Sequence, residues 1–254
     1  MRKIIAIAVN TFREAIRDKV LYTLLFFALI MIGGTSILSL LTLGERQKII
    51  IDLGLASISI FGLFIAVFIG IGLVYKEIDR RTIYTIISKP IHRYQFLLGK
   101  YLGLVLTLFV EVVIMTIVFM AVTALYESPD PALLKAVLLT FQELMLITAI
   151  AILFSSFSTP VLSSLFTVAV FIIGHMSQDL KIFGAKTGSL VIQKVTNFLY
   201  YMLPNLSNFN IKGQVVYGVP VEWSYIGIVT AYTALYIAIV LSISAMIFQY
   251  RDFK

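Results

Sequence analysis

Six long apolar stretches, separated by short polar connections, constrain this chain more than any other feature. They run over about 20–43, 53–75, 101–126, 133–157, 161–178 and 223–250. A helix needs roughly 20 mainly apolar residues to cross about 30 Å of hydrocarbon. Inside a bilayer the backbone must satisfy its own hydrogen bonds, which a helix does within one segment. The fold class expected is therefore all-α: a polytopic membrane protein with six transmembrane helices. Composition agrees, being 60% hydrophobic and 13% charged, where a soluble domain is about half apolar and a quarter charged.

Residues 1–19 form no span. Ile5, Ala8 or Val9, Phe12, Ile16 and Val20 recur at helical spacing, with Arg13, Glu14, Arg17 and Asp18 largely elsewhere. This predicts an N-terminal amphipathic helix lying in the membrane interface, its basic groups toward lipid phosphates. The charged stretch and long apolar run that follow differ from a cleaved leader, whose apolar core is only about 7–15 residues. The domain division expected is an interfacial helix at 1–19 and a six-span domain at 20–254.

The connections set orientation. One side would carry residues 1–19, 76–100 and 251–254, with five, six and two Lys or Arg. The other would carry two in 44–52, Lys135, and four in the long 178–222 connection. Excess positive charge on short loops marks the cytoplasmic side. Both termini and the 76–100 loop are expected there, and the 178–222 loop outside. Within that outer loop Lys186 to Met202 has helical periodicity, while Asn205, Ser207, Asn208, Asn210, Gly213 and Gly218 read as loop. Ser158-Thr159-Pro160 predicts a tight turn joining the fourth and fifth spans, because Pro suits the first turn of a helix and cannot continue the preceding one.

Few groups are suited to catalysis. There is no Cys, and His92 and His175 are too few and too distant to suggest a metal site. Gly184-Ala-Lys-Thr-Gly188 and Gly213 to Gly218 lack the Lys-Ser/Thr that completes a phosphate-binding loop. The expectations are no catalytic residue, no metal, no ATP bound by this chain and no nucleic acid. Two carboxylates, Glu111 and Glu143, fall near the middle of the third and fourth spans, where antiparallel packing could bring them close. No Lys or Arg within a span is available to them. They serve either as points on a substrate or proton pathway or as hydrogen-bonded pins between helices. The pathway reading leads to a gradient-driven carrier or channel that uses the pair as a relay.

The 76–100 loop carries the stronger signal. Asp79 can cap a helix starting at Arg80, with Ile83, Ile86 and Ile87 on one side, and Pro90 ends it. Arg93 to Lys100 reads as a second short amphipathic piece. Such a loop suits docking in a partner's groove or rest on anionic headgroups. The residues Glu77-Ile-Asp-Arg-Arg-Thr82, Ile86-Ile-Ser-Lys-Pro90-Ile-His-Arg93 and Phe96-Leu-Leu-Gly-Lys100, with the six-span layout and basic amphipathic leader, resemble the ABC-2 type permease family over essentially the whole chain. The resemblance implies a membrane-spanning subunit of an exporter in the cytoplasmic (inner) membrane of a prokaryote. It implies a second permease chain, identical or sister, and cytoplasmic ABC ATPase subunits that supply the ATP and Mg chemistry. It also implies ATPase coupling through Glu77, Asp79, Arg80, Arg81, Thr82, Pro90 and Arg93. So apolar a chain leans toward lipids, amphipathic drugs or peptides as substrate.

Overall fold

The computed structural model describes residues 2–39, 46–79, 92–126, 130–187 and 189–250, excluding the side chains of 73–79 and 250. Helix α1 is Arg2–Ile16 and α2 is Lys19–Leu38, joined by a bend in which the Asp18 carboxylate accepts the Val20 N–H at 2.9 Å. Helix α3 (Arg46–Asp79) and α4 (Arg93–Ala124) follow. Then come α5 (Ala132–Phe157), α6 (Pro160–His175), α7 (Ser177–Lys186) and α8 (Leu190–Met202). A 3-10 turn at Leu206–Phe209, the short α9 (Lys212–Val216) and α10 (Trp223–Tyr250) complete the chain. No strand occurs among the described residues.

Five helices, α2, α3, α4, α5 and α10, are long and apolar enough to cross a membrane. The sixth crossing is different in kind. At 16 residues and 1.5 Å each, α6 reaches only about 24 Å, and α7 continues it at a bend of 63°. Among the described residues there are therefore five candidate spans, or six if this bent pair is one. The turn expected at Ser158-Thr159-Pro160 is present: Pro160 opens α6 and the Ser158 N–H caps α5 through Phe154 O at 2.9 Å.

Two boundaries differ from the sequence reading. The second span starts at Arg46, so Asp52 lies on α3 rather than in a connection. Arg93 to Lys100 is no separate piece but the first two turns of α4. The Gln95 side chain reaches back to the His92 N–H at 3.4 Å, stabilising that helix start.

Helices α3 and α5 form the centre. Of their most apolar windows 72% is buried within the chain, against 22% for α2 and 33% for α10. Close approach to α3 depends on bare backbone at Gly54 and Gly62, which lie against Phe119 of α4 and Leu144 of α5. The exposed apolar residues include Tyr22, Phe26 and Phe27 on α2 and Ile228, Leu235 and Ile239 on α10. These are the surfaces suited to lipid or to another apolar chain.

Candidate functional site

Chemistry-bearing residues gather at the two ends of the bundle. At the N-terminal end α1 lies along the first turns of α4. The seam is cut by Gly99 and Gly103. A Cβ at Gly99 would lie 2.7 Å from Ile7 Cβ, and one at Gly103 would lie 2.6 Å from Ala8 O. Thr11 and Ala15 complete the buried face of α1, whereas Ile5 is 60% exposed. The helix expected at the N-terminus is present, but the stripe that packs on protein is Ile4, Ile7, Ala8, Thr11 and Ala15. Most of the apolar stripe read from the sequence points elsewhere. The glycine notch receives Ile7, the Ala8 carbonyl and Thr11, which leaves Ile5 and Val9 on the outward side of α1.

Lys100 lies buried beside this seam, its Nζ 3.6 Å from Glu14 Oε2 of α1. One turn earlier the Phe96 ring stacks on Phe248 of α10, with centroids 6.0 Å apart. Arg93 Nη1 donates to the Phe248 and Gln249 carbonyls at 2.9 and 3.0 Å. Both carbonyls belong to the last described turn of α10, where a cation is favourably placed against the helix dipole. The start of α4 thus fastens α1 on one side and α10 on the other.

Of the expected coupling residues, Arg93 alone has a described side chain, and it has partners within the chain. Glu77 and Asp79 fall on the last turns of α3, their side chains outside the described residues. Arg80, Arg81, Thr82 and Pro90 also lie outside the described residues.

At the opposite end the long 177–222 connection folds back onto the bundle. Leu206, Phe209 and Ile211 are buried, and Leu206 seats against Gly174 of α6. Three tyrosines of α10 hold the segment. Tyr225 OH donates to Asn208 O at 2.7 Å, Tyr236 OH donates to Met202 O at 2.9 Å, and Tyr232 OH accepts the Asn205 N–H at 3.0 Å. Ser207 Oγ donates to His175 O at 2.8 Å. What reads as loop in the sequence is a packed plug, because its backbone groups find partners on the tyrosines and Ser207 finds one on His175.

Beneath this plug lies Glu143, 2% exposed. Its Oε1 is 3.1 Å from His175 Nε2, though off hydrogen-bond geometry. Lys212, on α9, also faces it. Burial pushes the Lys212 ammonium below its ordinary range, and the carboxylates of Glu143 and Asp52 pull it back up. The cation that acts on Glu143 comes from the connection and not from a span. A cleft of about 470 Å³, lined by Lys48, Ile49, Asp52, Leu53, Gly213, Val216 and Tyr217, opens beside α9.

Glu111 is separate. It is buried on α4, and its Oε2 has no hydrogen-bond partner among the described residues. Although α4 and α5 pack together, no ion pair or hydrogen bond joins Glu111 to Glu143 among those residues. No group of three or more His, Cys, Asp or Glu suited to a metal occurs among them.

The family model for the ABC-2 family transporter protein matches residues 5–253. The chain belongs to the ABC-2 transporter family. Membership makes it a permease subunit of an ABC transporter, a multi-pass membrane component that works with an ABC ATPase subunit. A comparison with curated proteins finds no match. Of residues 76–100, 76–79 end α3 and 93–100 open α4, and it is this start of α4 that grips α1 and α10. Sequence reasoning did not pair Lys100 with Glu14 and gave Lys212 no role. Only the spacing of Gly99 and Gly103, four residues apart as in close-packed membrane helices, signalled the α1 seam.

Proposed function

We propose that this permease is the transmembrane half of an exporter, pairing with a second permease chain and driven by two cytoplasmic ATPase subunits that dock on 76–100. Both termini then face the cytoplasm, and α1 lies in the membrane interface. One observation carries the reading: the start of α4 fastens both α1 and α10 through Arg93, Phe96, Gly99, Lys100 and Gly103. A push on the segment just before α4 is delivered to three helices at once. Coupling over a distance needs such a rigid contact.

The test is a tagged pull-down from native membranes in mild detergent. A chain with a phosphate-binding loop should co-purify with the wild type and be lost from R80E/R81E, while the variant elutes as the wild type does. Association and transport that both survive charge reversal would remove the coupling role.

A second reading, a gradient-driven carrier, draws on Glu143 lying beside His175 and Lys212, near an open cleft. It requires substrate flux in vesicles without any ATPase, abolished by Glu111→Gln and Glu143→Gln. The exporter reading is preferred because the two carboxylates share no contact among the described residues.

A further inference from the structure

The bend between α1 and α2 encloses a basin of about 750 Å³ lined by Asn10, Arg13, Glu14, Arg17, Asp18 and Lys19. Three cations and two carboxylates line it, but the carboxylates are already engaged. Glu14 faces the buried Lys100 at 3.6 Å, and the Asp18 carboxylate caps α2 through the Val20 N–H. The side chains of Arg13, Arg17 and Lys19 make no hydrogen bond or ion pair among the described residues. With Glu14 facing Lys100, the basin carries a net positive charge toward solvent.

Its position matters as much as its charge. Immediately after Lys19 the chain becomes an exposed apolar face, with Val20, Tyr22, Phe26, Phe27 and Ile30 all outward on α2. Cations at the mouth of an apolar helix face match the two halves of a phospholipid: phosphate in the basin, acyl chains along α2. Tyr beside such a boundary is typical of the headgroup level, and guanidinium groups suit bidentate phosphate contact.

We propose that this basin binds the phosphate of an anionic phospholipid in the leaflet on the N-terminal side. A lipid is favoured over an acidic protein surface because Lys19 of the basin directly precedes the exposed apolar residues Val20 and Tyr22 of α2, which a water-soluble partner would leave uncovered. The proposal rests on the preceding section only for which leaflet that is.

The experiment uses the permease alone, without ATPase, reconstituted in vesicles of equal parts phosphatidylglycerol and phosphatidylcholine. It is extracted in mild detergent and its retained lipids are counted by native mass spectrometry. Wild type is expected to retain phosphatidylglycerol several-fold over phosphatidylcholine. R13Q/R17Q/K19Q should fall to the bulk ratio, and R13K/R17K should keep most of the enrichment. K181Q/K194Q, which removes two cations from the opposite end, should keep all of it. Equal retention of the two lipids by wild type overturns the site, and this arm needs no variant to fold. Equal loss in K181Q/K194Q overturns it in favour of diffuse charge. A triple variant that keeps its lipid but loses the ATPase subunit in a pull-down makes the basin a protein socket, which also overturns it.

Discussion

The Arg93 guanidinium donates to the carbonyl of Phe248, 155 positions away, at 2.9 Å. It thereby closes the end of α10 onto the start of α4. Arg93→Ala is expected to cost about 1.5–3 kcal/mol, the range for hydrogen bonds from a charged donor. Arg93→Lys should recover part of this, since an ammonium lacks the planar fork. Thermal unfolding in detergent measures both. An unchanged midpoint for Arg93→Ala would show that the contact adds nothing to stability, leaving docking as the role of Arg93.

Gly103 admits no side chain without displacing α1. A Cβ there meets Ala8 O and Thr11 Cβ, both at 2.6 Å. Gly103→Val should destabilise by about 1–3 kcal/mol, as overpacking does, and expose α1 to protease cleavage after Arg13 or Arg17. The same substitution at Gly227, which has open space around it, should leave unfolding and cleavage as in wild type.

Gln142 Nε2 donates to Thr230 Oγ1 at 2.8 Å, joining α5 to α10. Hydrogen bonds between membrane helices average about 0.6 kcal/mol and reach about 1.7. A double-mutant cycle of Gln142→Leu and Thr230→Val should return a coupling energy in that interval. A coupling indistinguishable from zero would mean that this contact adds nothing to the hold on α10 beyond packing, the tyrosines and Arg93.

The carboxylates of Glu143 and Asp52 act electrostatically on the Lys212 ammonium, across the junction of α9 with the bundle. Lys212→Met should ease local opening of residues 203–222 by roughly 1–3 kcal/mol, because the buried Glu143 loses a partner. Adding Glu143→Gln to Lys212→Met should restore part of the protection, since no uncompensated carboxylate then remains. Amide hydrogen exchange over 203–222 reads both, and equal protection in wild type and Lys212→Met would detach Lys212 from that role.

Much of the architecture was legible in the residues. The apolar runs located five crossing helices and a weaker sixth, and Ser158-Thr159-Pro160 located a turn. The candidate site was less legible. The sequence marks Glu143 as a carboxylate in a span, but Lys212 is distant along the chain and sits in a stretch that reads as loop. Nothing local signals their meeting. Arg93 reads as part of a docking motif, yet its described partners are carbonyls of the last helix.

Residue pattern along the chain locates the run of membrane-crossing helices and the charge asymmetry of their connections. These follow from local composition, because hydrocarbon requires each segment to satisfy its own backbone. What only the tertiary structure decided is which faces are inside. Lipid tails are as apolar as leucine, so hydropathy cannot separate a packed face from a lipid-facing one. That choice was made by shape and by long-range polar contacts: the Gly99 and Gly103 notch receiving α1, Arg93 closing α10, and the tyrosines drawing the 203–222 segment over Glu143.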